Sequence, residues 1–106
     1  MSYRYYVVFV TAENNEHAHK IGEAILNKKL AACINYVEVT SHYWWENKLH
    51  KEPETMLIIK TAKDKFQQLL KTIKENHTYA VPEVIALPIV KGNPKYLVWL
   101  CDTIFE

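Results

Sequence analysis

The chain has 106 residues, of which 49% are apolar and 24% charged, with a formal net charge of +1. This length makes one domain, residues 1–106, that buries about two thirds of its unfolded surface, and the composition excludes disordered and fibrous classes. Acidic and basic residues interleave without a basic run, which excludes a nucleic-acid surface, and no apolar run is long enough to span a membrane.

Residues 5–11 are aromatic and β-branched throughout and read as a strand buried on both faces. The stretch from Met1 and Ser2 into this strand has neither the length nor the cleavage site of a signal peptide. Cys33 and Cys101 lie among apolar neighbours and read as free thiols of a reducing compartment. Together these features predict a cytoplasmic protein.

Asn14 or Asn15 offers a side-chain oxygen to cap a helix. Ala18, Ile21, Gly22, Ile25 and Leu26 then recur at helical spacing, which predicts a helix over residues 15–29. Gly22 on that stripe predicts close approach to a sheet.

Two long extended runs follow, residues 32–46 and 49–61, joined by a turn at Asn47-Lys48. As a hairpin they reach about 40 Å, roughly twice the usual strand length. Polar and apolar residues mix on both faces near residues 38–41, which predicts a bend or a bulge. Pro53 marks an edge or a bulge, because it has no amide hydrogen to donate.

Thr61 with Asp64 fits a capping box opening a helix over residues 62–76, with Phe66, Leu69, Leu70, Ile73 and His77 inward. Residues 84–90 read as a fourth strand, with Pro88 at an edge or end. Asn93 caps and Pro94 opens a short C-terminal helix, whose stripe is Leu97, Leu100, Cys101 and Ile104.

This order predicts an α+β fold, a ferredoxin-like βαββαβ sandwich with a long central hairpin and a short C-terminal helix. Helices cover one sheet face; apolar side chains on the other, and the overhang of the hairpin, predict a homo-oligomer. Tyr96 and Trp99 lie off the last helix's stripe and suit a contact.

Chemistry-bearing motifs are few. The chain has two glycines and no phosphate loop, Ser2 and Ser41 lie outside any nucleophile motif, and Cys33 has no neighbouring histidine. Glu52, Glu54 and Glu83 could form a carboxylate site, although solvated strand ends account for them equally. No enzyme is predicted. His17 and His19 point apart on their helix. His42 and His50 flank the hairpin tip, and His77 precedes Tyr79, Pro82 and Glu83 in a loop at the sheet edge. The chain lacks CxxC and HxxxH spacing, so any metal site is shared between subunits or weak.

Several stretches together resemble the CutA family of divalent-cation tolerance proteins. Leu30-Ala31-Ala32-Cys33-Ile34-Asn35 is similar to its LAACxN signature, and Ser41, Tyr43, Trp45 and Lys48 to SxYxWxGK. Glu54, Ile59, Lys60 and Thr61 are similar to E…xxKT; His77, Tyr79, Pro82 and Glu83 to HPYxxPE; Tyr96, Leu97, Trp99 and Leu100 to YLxWL. The resemblance implies a non-enzymatic homotrimer with interlocking hairpins, associated with tolerance to copper and other divalent cations. It implies an intersubunit cleft bordered by Lys60, Glu54, Trp45, His77, Tyr79, Glu83 and Trp99, with His77 a ligand for Cu(II) or another divalent cation. Lys60 and Glu54 could instead pair with each other across the trimer. The architecture is also similar to the PII signalling proteins, and the alternative is a PII-like module for a small anionic ligand or a partner protein. Two positions that carry a cysteine and a histidine ligand in some members are Val10 and Asn76 here. Thr78 stands for the usual proline and Asn47 for the turn glycine, whose backbone region Asn can share.

Overall fold

A computed structural model describes residues 3–105; Met1, Ser2 and Glu106 lie outside the described residues, and with them the start of the N-terminal stretch. The elements are β1 (Tyr5–Ala12), α1 (Asn15–Asn27), β2 (Cys33–Trp45), β3 (Lys48–Ala62), α2 (Phe66–Asn76), β4 (Val84–Pro88) and α3 (Pro94–Phe105). A single 3-10 turn, Lys63–Lys65, links β3 to α2. The four strands lie in the order β2-β3-β1-β4, every pair antiparallel. This is the ferredoxin-like arrangement that the element order predicts.

The core follows from alternation along the strands. Val8 and Val10 of β1 and Leu57 and Ile59 of β3 are fully buried beneath Ile21, Ile25, Leu69 and Ile73 of the two helices. Gly22 allows the close approach: a Cβ at that position would run into the ring end of Tyr36, which would have to shift. On the opposite face Leu100 and Ile104 of α3 pack on Ala62, Tyr5 and Ala32. The rest of that face stays open, with Val37, Ile85 and Leu87 exposed.

Local chemistry sets the ends. Asn14 caps α1, its Oδ1 accepting from the His17 amide at 2.9 Å. The helix stops two residues early, because Lys29 turns to a φ of 53°. The Lys29 amide then donates to Leu26 and the Leu30 amide to Ile25, a Schellman closure with lysine where glycine is usual. Asn93 caps α3 through Lys95, with Pro94 first in the helix.

Four expectations are corrected. The turn centres on Glu46 and Asn47, with φ of 50° and 62°, one residue earlier than read; Trp45 faces Lys48 across it. No bulge interrupts the hairpin, because the register runs unbroken from Cys33↔Lys60 to Trp45↔Lys48. The mixed polarity near residues 38–41 reflects strands leaving the sheet, where both faces meet solvent. Thr61 is no helix cap: it lies buried on β3 and its hydroxyl donates to the Leu30 carbonyl at 2.6 Å. The helix therefore starts at Phe66. Finally β4 ends at Pro88, whose missing amide stops the ladder, although the Ile89 amide still reaches Tyr5.

Candidate functional site

β1 stops at Ala12, opposite Thr55. β2 and β3 continue together past it, from Val39↔Glu54 to Trp45↔Lys48. Beyond the last turn of α2 the 77–83 segment folds back toward the base of this overhang. Between them lies a cavity of about 680 Å3. Thr11 and Glu54 line its base, Ser41, Tyr43, Trp45 and Glu52 its hairpin wall, and Tyr79 and Glu83 its loop wall.

Two parallel chains of side chains organise the walls. On the hairpin, the Tyr43 hydroxyl donates to Glu52 and its ring stacks on His50, centroids 5.5 Å apart. The register explains this, since Tyr43 faces His50 and Ser41 faces Glu52 on one side of the ladder. At the base, the Tyr79 hydroxyl donates to Glu54 at 2.6 Å and its ring lies 4.7 Å from that of His77. His77 in turn is held at both nitrogens. Its Nδ1 accepts from the Tyr79 amide at 3.0 Å, so its Nε2 carries the proton and donates to the Thr11 carbonyl at 2.8 Å.

The charge of the cavity is of one sign. Glu52, Glu54 and Glu83 line it, and among the described residues no lysine or arginine does. Glu54 is nine-tenths buried, with the Tyr79 hydroxyl as its hydrogen-bond partner. The Tyr79 phenol is pushed well above its ordinary value. Burial is the main cause, followed by the hydrogen bond and charge of Glu54, then Glu52 and Glu13. Among the described residues no three His, Cys, Asp or Glu side chains gather closely enough to hold a metal ion. Glu52 and Glu54 sit two positions apart on an extended strand, about 7 Å between Cα atoms.

Of the residues read from the sequence, Trp45, Glu54, Tyr79 and Glu83 come together in this cavity, and His77 stands behind Tyr79. Lys60 and Trp99 do not line it. Lys60 faces Cys33 and Val7 on the open sheet face and donates to Asn35; Trp99 pairs with Tyr96 on α3. Within one chain Lys60 and Glu54 have different partners. Val10 is fully buried under the helices and Asn76 donates to the Thr72 carbonyl at 2.9 Å, so neither side chain serves the cavity. Thr11, Ser41, His42, Tyr43 and Glu52 also line it. Ser41, Tyr43, Glu52 and Glu54 share one face of the hairpin, and the turn at Glu46-Asn47 is what sets Tyr43 opposite His50 and Ser41 opposite Glu52.

Comparison with known proteins follows this geometry. The family model described as CutA1 divalent ion tolerance protein matches residues 6–103. The chain is 50% identical over 101 residues to the rice protein CutA 1, chloroplastic, covering 94% of this chain and 57% of that protein. The crystal structure of CutA1 from Oryza sativa superposes with a TM-score of 0.93 at 45% identity, covering 99% of this chain and 97% of that one. A structure from Archaeoglobus fulgidus, described as a periplasmic divalent cation tolerance protein CutA, gives 0.92 at 35% identity, with 94% and 98% covered. The chain spans little more than half the length of the curated plant relatives it matches, 57% and 52%. These relatives correct the cytoplasmic expectation: the rice and Arabidopsis thaliana proteins are described as chloroplastic and the archaeal one as periplasmic. Composition and thiol content describe how a chain folds, and the same fold serves in several compartments.

Proposed function

The chain belongs to the CutA1 family of divalent ion tolerance proteins, and on that footing we propose that it catalyses no reaction and works as a homotrimer. In this reading it takes divalent cations, copper among them, at acidic clefts that a neighbouring subunit completes. One observation carries the reading: Glu52, Glu54 and Glu83 line a single cavity with no lysine or arginine beside them among the described residues. Oxygen donors of this kind suit hard divalent ions. They lie too far apart for one chain to close a coordination shell, so the neighbour supplies the remaining ligands. The cavity's sign disfavours the alternative, an anionic PII-type ligand.

Two features support the trimer. Val37, Ile85 and Leu87 leave an apolar sheet face uncovered, and the overhang leaves backbone groups of the hairpin without a strand beside them. Lys60, Tyr96 and Trp99 then border the contact between subunits. His42, on the cavity wall, is the nitrogen donor within reach. His77 joins a Cu(II) site by giving up its bond to the Thr11 carbonyl.

Light scattering tests the assembly: three times the 12.5 kDa chain mass is expected, and a monomer overturns the trimer. Calorimetric titration with Cu(II) tests the site. Binding that Glu54→Gln abolishes and His77→Ala weakens is the expected result. Binding untouched by either substitution removes the cavity from consideration.

A further inference from the structure

Within one chain the cavity is far larger than a bare metal ion requires, and its carboxylates do not converge on a point. Those two facts suit a cation with a body of its own. We propose that this cavity binds an organic ammonium ion, its charge set against Glu52, Glu54 and Glu83 and its alkyl groups against the rings of Tyr43, Tyr79 and Trp45. The inference rests on reading the cavity as a cation site, and it names the class of cation.

Three properties of the site argue for it. First, aromatic rings beside carboxylates form the surroundings in which alkylammonium groups are held, because the ring faces carry negative potential and also cover apolar surface. A hydrated metal ion gains little from the rings. Second, two of the rings are fixed in place. Each tyrosine is tied through its hydroxyl to a glutamate and flanked by an imidazole, Tyr43 by Glu52 and His50 and Tyr79 by Glu54 and His77. Such restraint lowers the ordering cost of binding. Because each hydroxyl proton is held by its own carboxylate, neither tyrosine has a proton left to donate to a guest. Third, Glu54 is nine-tenths buried and accepts from the Tyr79 hydroxyl, and among the described residues no lysine or arginine lines the cavity with it. A buried carboxylate is costly without a counter-charge. The Tyr79 phenol is raised chiefly by burial, and Glu54, Glu52 and Glu13 all add to that shift in the same direction.

Trp45 completes the picture at the mouth, where it stands half exposed on the hairpin wall. It can close over a guest without displacing a core residue.

Calorimetry on the full chain tests the inference with tetramethylammonium, with tert-butanol as a neutral molecule of similar shape, and with Cu(II) and Zn(II). Tetramethylammonium is expected to bind and tert-butanol to give no heat. Trp45→Leu, at an exposed position that leaves folding intact, weakens the ammonium by about tenfold, and Glu54→Gln abolishes its binding. Equal binding of tert-butanol, or ammonium binding indifferent to Trp45→Leu, overturns the inference. Divalent ions that bind while tetramethylammonium does not also overturn it, but leave the cation reading standing. No binding of either kind overturns both.

Discussion

The two faces of the sheet are built from the same strands and differ in almost everything else. On the helix side Val8, Val10, Leu57 and Ile59 are wholly buried. On the other side their immediate neighbours Phe9, Met56 and Ile58 are half-buried, and Ile85 and Leu87 of β4 are half exposed. Strand alternation sends equally apolar residues to each face. Only one face has helices enough to cover it, since α3 reaches just the end marked by Tyr5, Ala32 and Ala62. The finished face accounts for folding, while the unfinished face and the overhang beside it hold what remains for function.

Truncation on the two faces is the strongest way to break this contrast. Leu57→Ala opens a cavity under α1 and α2 and is expected to cost about 2–5 kcal/mol in denaturant unfolding. Ile85→Asp, on the open face, exchanges one partly solvated side chain for another and leaves the unfolding free energy of the separate chain within about 1 kcal/mol. Its effect falls on assembly, where a charge in the proposed subunit contact reduces the mass measured by light scattering. Equal costs in unfolding, with no change of mass, would erase the distinction between the faces.

A second substitution probes the finished face from above. Gly22→Ala places a methyl group 1.9 Å from the Tyr36 hydroxyl and 2.9 Å from the ring carbon that bears it. Either α1 lifts or Tyr36 leaves its place against His19, with which it now stacks at 3.9 Å. The expected cost is about 1–3 kcal/mol. Tyr36→Phe removes the nearer contact and leaves the farther one, so the double variant recovers part of that loss. Strict additivity of the two changes would mean that the close approach sets nothing.

The two faces were also unequally legible in the sequence. The helix stripes and β-branched runs point inward by simple periodicity, so α1, α2 and the β-strands were readable, with Gly22 as the mark of a close approach. Boundaries failed where one residue served a tertiary purpose. Thr61 has the spacing of a cap, but its hydroxyl holds the Leu30 carbonyl across the sheet. Lys29 ends α1 in a conformation that its side chain does nothing to announce. The candidate site was half legible. Trp45, Glu54, Tyr79 and Glu83 were singled out through resemblance and do converge. Lys60 was placed with Glu54 at an intersubunit cleft through the same resemblance; within one chain six positions of extended strand separate them by about 20 Å. Glu52 was named with Glu54 and Glu83 as a carboxylate site, and all three line the cavity; its tie to Tyr43 stayed indistinct because it depends on register, and a turn displaced by one residue exchanges the partners of every side chain in the hairpin.

The smallest expected effect sharpens the comparison at the cavity itself. At neutral pH Tyr79→Phe removes the hydrogen bond to Glu54 and should cost about 1 kcal/mol. The folded chain raises the Tyr79 phenol above its unfolded value of 10.0, chiefly by burial and then through Glu54. A tyrosine of this kind keeps its proton in the folded state after the unfolded state has begun to lose its own. Above about pH 10 deprotonation therefore favours unfolding, and wild-type stability falls with rising pH at this site. Phenylalanine has no proton to lose. The deficit of Tyr79→Phe should thus be constant through neutral pH and shrink as the pH passes about 10. The other raised phenols, Tyr5, Tyr36 and Tyr96, contribute the same slope to both proteins and cancel in the difference. Urea midpoints measured across that range decide the matter. A deficit that stays constant would mean that Tyr79 titrates alike in both states and that the negative field of the cavity does not reach it.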